Sequence, residues 1–109
     1  MIIEYRMRSD ESWLTFSYTR SKFPPWGLAG GHKGTPNYIT IVRKDGSEER
    51  LAAATELKLY TDDVIRIHTG NGAGHGPPTE RPRELVLADL RDQYISVHDA
   101  VHVYGQQVD

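Results

Sequence analysis

The sequence contains no cysteine. That excludes a disulfide framework, a thiolate metal site and a thiol nucleophile, and it fits a reducing cytoplasm, the expected location. Charge of one sign is also scarce: 13 Lys and Arg stand against 15 Asp and Glu, a net charge of −2. Such a balance gives no overall attraction for nucleic acid or for an anionic membrane surface. No run of 18 apolar residues occurs, so no segment is expected to span a membrane. The opening Met-Ile-Ile-Glu-Tyr-Arg has no basic region, apolar stretch and small-residue cleavage site, so no signal peptide is expected. It leads straight into a strand-like pattern, as a natural start would. The 109 residues suit one domain, residues 1–109, with a modest core.

What is present reads first as β-structure. Ile2, Ile3, Tyr5 and Met7 suggest an opening strand. From Trp13 to Thr19 the residues alternate, with Leu14, Phe16 and Tyr18 on one face, the period of a half-buried strand. Tyr38 to Arg43 is the next strand, with Ile39 and Ile41 inward. Asp45-Gly46 predicts a two-residue hairpin turn, because both positions tolerate positive φ. Glu48 to Leu51 is the return strand, Leu57 to Tyr60 a short one, and Asp63 to Thr69 a longer one with Ile65 and Ile67 inward. Two loops interrupt these strands. Residues 20–37 carry Pro24-Pro25, Gly27, Gly30-Gly31, Gly34 and Pro36, and residues 70–78 read Gly-Asn-Gly-Ala-Gly-His-Gly-Pro-Pro.

The last third changes character. Pro82 sits where a first helical turn tolerates it, and Arg83 to Arg91 are good helix formers. Ser96 starts a second helix, with Asp99 three residues on completing a variant capping box. Val97, Ala100, Val101 and Tyr104 fall at i, i+3, i+4 and i+7, which predicts a buried stripe, and Gly105 ends the helix. The expected fold is α+β: about six short strands over residues 1–69, then a two-helix hairpin over about 82–104.

Candidate chemistry is sparse. The glycine loop at 70–76 follows a strand, as a nucleotide loop would, but Pro77-Pro78 follow it where a phosphate-binding fingerprint needs a helix N-terminus. Lys33, Gly34 and Thr35 stand in the wrong order for a Walker-type loop. The simpler reading of Gly70, Gly72, Gly74 and Gly76 is a tight backbone path, packed against a partner chain, where Cβ atoms would clash. His98 and His102 have the i, i+4 spacing that lets two imidazoles share a metal, although a surface pair without metal is the commoner outcome. His32 and His75 each lie in a glycine loop and could be brought together by folding. No serine sits in a G-x-S-x-G elbow, and no carboxylate pair is marked for acid–base work, so no catalytic or cofactor-binding residue is assigned.

Two stretches, taken together, resemble a known family. The first is the Arg20 to Asn37 run, with Pro24-Pro25-Trp26-Gly27 and Gly30-Gly31-His32-Lys33-Gly34, followed by a strand and Asp45-Gly46. The second runs from Asp62-Asp63 through the glycine loop to Glu80-Arg81, the first helix, Asp92 to Ser96, and Ala100 to Gly105. Nearly the whole chain is similar to the C-terminal domain of hydantoinase B/oxoprolinase-type subunits. Departures include Ala73, His75 and Pro77 in the loop, and Gln93 where the family often has Gly.

The resemblance implies a two-part machine. One subunit type hydrolyses ATP to activate the substrate. The other, whose end this chain resembles, completes a lactam or imide hydrolysis or a ketone carboxylation. The metal-ligand motif of that larger body has no counterpart here. The resemblance therefore implies a small non-catalytic subunit, inactive alone, in an acetophenone or acetone carboxylase-like complex. Its partners would be a hydantoinase B-like large subunit and ATP-binding hydantoinase A-like subunits, and the complex would use ATP, a divalent metal and bicarbonate. The alternatives are a subunit of an ATP-dependent hydantoinase or 5-oxoprolinase, a free-standing β-rich binding module, and an excised domain. In a carboxylase-like or a hydantoinase-like complex Phe23, Trp26, Gly30, Gly31 and the four loop glycines are the expected interface residues.

Overall fold

The computed structural model describes residues 1–108. They form six strands, β1 (Ile2–Arg6), β2 (Ser12–Ser17), β3 (Tyr38–Val42), β4 (Glu48–Leu51), β5 (Ala53–Leu59) and β6 (Val64–His68). A single 3-10 turn (Pro78–Glu80) and two helices follow, α1 (Arg83–Arg91) and α2 (Val97–His102). This is the α+β order expected from the periodicities. The described residues form two compact units: residues 1–25 with 34–72, and residues 26–33 with 73–108.

The first unit is all β. One antiparallel sheet has the order β1-β6-β3-β4, and β2 pairs with β5 in a second. Register places Ile3, Ile67, Ile39 and Leu51 in one row across the larger sheet, and Tyr5, Ile65 and Ile41 in the next. Side chains alternate between faces, so these rows share the inner face. Ile39, Ile41, Leu59 and Ile65 form the buried core, with Met7, Leu14, Phe16, Tyr18, Leu51, Leu57 and Ile67 packed against it. Each fully buried Ile or Leu contributes about 1.5–3 kcal/mol. The opposite face is layered with charge and aromatics: Tyr38 stacks on His68, the Arg50 guanidinium lies 3.4 Å from the Tyr38 ring centre, and Arg66 bridges Glu4 and Glu48.

Two local expectations are corrected. The β3–β4 turn has three residues, not two: Arg43 N–H donates to Ser47 C=O, Gly46 N–H donates to Arg43 C=O, and only Gly46 of the turn has positive φ. A type I turn closed by a left-handed glycine gives this geometry, and the Asp45 carboxylate stabilises it by accepting from the Ser47 N–H and hydroxyl. Strand β5 begins at Ala53 rather than near Leu57. Its alternation is broken by a bulge: Leu14 faces Leu57 but Phe16 faces Ala54, Glu56 takes φ +48°, and its N–H donates to the Thr15 hydroxyl.

In the second unit α1 ends in a Schellman motif. Tyr94 N–H donates to Asp89 C=O, Gln93 N–H donates to Leu90 C=O, and Gln93 has φ +63°. The capping box of α2 is complete, with Ser96 Oγ accepting from Asp99 N–H and Asp99 Oδ2 accepting from Ser96 N–H. The expected α2 stripe is only partly buried. Ala100 is enclosed, but Val97 and Val101 are exposed and Tyr104 lies beyond the helix. Six residues make fewer than two turns, so one position per turn reaches the interior.

Candidate functional site

The structure gives the two glycine loops a definite geometry, built within each unit. In the first unit Asn37 is the clasp. Its side-chain amide donates to Thr19 C=O at 3.1 Å, and its Oδ1 accepts from Gly70 N–H at 2.6 Å. Thr35 Oγ1 accepts from Asn71 N–H at 2.9 Å. A Cβ on Gly70 would overlap the Thr35 carbonyl, so only glycine permits the approach. In the second unit Leu28 and His75 form a parallel bridge. Leu28 N–H donates to Gly74 C=O at 3.0 Å, Gly76 N–H to Leu28 C=O at 2.9 Å, and Gly74 N–H to His32 C=O at 2.9 Å. A Cβ on Gly31 would strike the Gly74 carbonyl. Missing side chains thus serve contacts between the chain's own loops at Gly31 and Gly70, while Gly72 and Gly76 have open space around them.

The two aromatics singled out in the Pro-Pro loop do not enter the chain's own core: Phe23 is 73% exposed and Trp26 66% exposed. Gly30 has φ +87° and sits beside the Pro77 ring. The backbones at His32 and His75 are brought together by the loop pairing. His98 and His102 stack with ring centres 4.2 Å apart and an interplanar angle of 17°, and His102 Nδ1 lies 3.0 Å from His98 C=O. Stacked rings do not converge their nitrogens on one point. Among the described residues no three His, Cys, Asp or Glu side chains cluster as a metal site.

One charged group was invisible to sequence reasoning. Asp63 is 2% exposed, and its carboxylate is fully engaged. Oδ2 accepts from Arg43 Nη1 and from Tyr60 N–H, both at 2.9 Å, and Oδ1 accepts from Lys44 N–H at 3.1 Å. Arg43 also donates to Lys58 C=O at 3.0 Å. Burial pushes the Asp63 carboxyl up, but the Tyr60 N–H, the Arg43 guanidinium and the Lys44 N–H together outweigh it and hold the group below the usual range. The pair ties the β3–β4 turn to the β5–β6 turn. Twenty positions separate Arg43 from Asp63, so no local spacing signals it.

Beside this pair an open depression of about 610 Å³ is lined by Asp10, Lys44, Asp45, Tyr60 and Thr61 as well. Asp10 accepts from Thr61 N–H and Asp45 from Ser47, and these bonds lower both carboxyls. Carboxylates held ionised by structural donors are poor proton shuttles at neutral pH. Among the described residues no helix is long and apolar enough to cross a membrane.

The chain is 35% identical over 104 residues to an uncharacterised protein of Methanocaldococcus jannaschii, spanning 95% of itself and 18% of that relative. It is 30% identical to a Pseudomonas sp. protein provisionally named as the B-type subunit of a D-/L-hydantoinase, over 77% of itself and 14% of the relative. It is 36% identical to the beta subunit of the caprolactamase of Pseudomonas jessenii, over 60% of itself and 11% of the relative. The chain therefore spans less than a fifth of the length of these curated relatives. No solved structure matches. The hydantoinase B/oxoprolinase family profile covers residues 1–78, which include both sheets and both glycine loops, and the chain belongs to that family.

Proposed function

We propose that this chain is a small non-catalytic subunit that completes a hydantoinase B-like large subunit in an ATP-dependent complex. One observation carries the reading: the chain aligns over 95% of itself with 18% of a relative, and its charged groups are engaged in holding turns rather than poised for reaction. The large subunit supplies the reacting groups and hydantoinase A-like subunits supply ATP hydrolysis with a divalent metal. This chain braces the fold of the large subunit, with Phe23 and Trp26 among the surfaces that meet it. Two reactions fit the reading. Ketone carboxylation with bicarbonate, of the acetophenone or acetone type, is the one to which the sequence resemblance leads. Cyclic amide hydrolysis is favoured by the names of two relatives, a hydantoinase subunit and a caprolactamase subunit.

The test is reconstitution from separately purified subunits. ATP turnover and product formation are measured with acetophenone and bicarbonate, and with hydantoin, 5-oxoproline and caprolactam. Activity that requires this chain, with none from the chain alone, is the expected result. Full activity of the large and ATP-binding subunits without this chain would overturn the proposal. Turnover by the isolated chain would do the same.

A further inference from the structure

The two edges of the larger sheet differ in kind. At the β4 edge Glu48, Glu49 and Arg50 are all exposed, and charge of this sort discourages a further strand from pairing. At the β1 edge Ile2 is 61% exposed and Tyr5 53% exposed. Its charged residues Glu4 and Arg6 are exposed as well, and lean back on Arg66 of β6 and on Asp62 of the turn before it.

The backbone of β1 shows which groups lie open. Thr69 N–H donates to Met1 C=O at 3.0 Å and the Met1 amine reaches back to Thr69 C=O, so residue 1 is a hydrogen-bonded position of the β1–β6 ladder. Met7 N–H donates to Asp63 C=O at 2.8 Å, so residue 7 is another. In an antiparallel pair these positions alternate, which makes Ile3 and Tyr5 the remaining bonded ones. The N–H and C=O groups of Ile2, Glu4 and Arg6 therefore point away from β6, along a free edge. An apolar side chain stands on each side of this row, Ile2 on one face and Tyr5 on the other.

We infer that the β1 edge receives a strand of the hydantoinase B-like large chain, which extends the sheet to five strands. The inference rests on the proposed role as a completing subunit. The occupant is a partner chain of that family because the relatives carry this domain within chains more than five times its length, so most of the family fold lies outside these residues. The added strand pairs with Ile2, Glu4 and Arg6 through its backbone, and apolar side chains on it cover Ile2 and Tyr5.

Hydrogen exchange read by NMR tests this on the full chain, alone and saturated with the large subunit. The expected result is that the Ile2, Glu4 and Arg6 amides exchange at least tenfold more slowly in the complex. The Ile3 and Tyr5 amides are expected to be protected in both states. A second measurement uses Ile2→Pro, which removes an outward N–H while leaving the β1–β6 ladder intact. It is expected to lower affinity for the large subunit at least tenfold with the thermal midpoint of the free chain unchanged. Complex formation without protection at Ile2, Glu4 and Arg6 overturns the inference and leaves the completing role standing. Self-association that protects the same amides assigns the edge to a second copy and overturns it too. Failure of the wild-type chain to bind the large subunit overturns both readings together.

Discussion

The Arg43–Asp63 pair and the Gly31–Gly74 crossing solve the same problem in opposite ways. Each fixes the path of a connection that has no helix or strand of its own. In the first unit a charged side chain does it, by collecting one guanidinium and two backbone N–H groups from separate turns. In the second unit the side chain is removed, so that one backbone can lie against another. A carboxylate clasp can be weakened by degrees, since water, protonation or a neutral analogue each replaces part of it. Direct backbone contact leaves no intermediate state, because any Cβ at Gly31 occupies the place of a carbonyl. The difference teaches where each unit is vulnerable: to pH and charge in one, to a single methyl group in the other.

The largest expected effect breaks the second solution. Gly31→Val should destabilise the chain by about 4 kcal/mol or more, because backbone must separate before the side chain fits. Gly72→Val, with open space around it, should change the free energy of unfolding by less than about 0.5 kcal/mol. Urea titration followed by circular dichroism separates the two, and equal effects would contradict the assigned crossing.

Breaking the first solution comes next. Asp63→Asn leaves Arg43 without its charged partner and should cost about 3 kcal/mol. A pH signature accompanies it. The folded-state pKa of Asp63 is depressed, so its contribution is present above the unfolded carboxylate range, near 4, and is lost as pH falls through the lower folded value. The thermal midpoint of the wild type should fall as pH drops below about 4, and that fall should be shallower in Asp63→Asn. Asp10, Asp45 and Asp99 are lowered as well and contribute in the same direction, so the variant reduces the slope without abolishing it.

A smaller effect concerns assembly. Trp26→Ala should weaken association with the large chain by more than about 1 kcal/mol, roughly fivefold or more, because a large aromatic in a proline-stiffened loop loses little entropy on docking. Isothermal titration of the variant against the large subunit measures this, and unchanged affinity would remove Trp26 from the interface. The smallest effect has the opposite sign. Gln93 occupies the left-handed position of the Schellman motif that closes α1, where glycine carries no Cβ penalty. Gln93→Gly should raise stability by about 0.5–1 kcal/mol, read as a higher thermal midpoint.

Much of the fold was legible because its signals are local. Leu14, Phe16 and Tyr18 alternate along one chain segment, Ile39 and Ile41 do the same, and the Ser96–Asp99 box spans four residues. Gln93 was also legible as a departure, and its φ of +63° gives the physical reason why glycine suits that place. The start of β5 was not legible, because Glu56 in a bulge shifts the alternation and Ala53 and Ala54 carry little strand preference. The α2 stripe misled for a different reason. Periodicity reports which residues share a face, but a six-residue helix cannot bury the whole of it. Close backbone approach was expected of the glycine loop at 70–76 against a partner chain; Gly70 lies against Thr35 of this chain, while Gly72 and Gly76 have open space around them. That Gly31 and Gly70 meet the chain's own other loop depends on contacts between residues far apart in sequence, which no spacing rule contains.

The hydrogen bonds between Met1 and Thr69 join residues 68 positions apart, and the whole of β1 pairs only with β6. During synthesis at about 5–20 residues per second, β1 leaves the ribosome roughly 3–14 seconds before its mate exists. For that interval Met1, Ile2 and Tyr5 have no strand to lie against on either side. The rate at which the first strand finds its place is then governed by the arrival of residues 64–68, and rare codons just upstream of them would lengthen the period in which the nascent chain is open to capture.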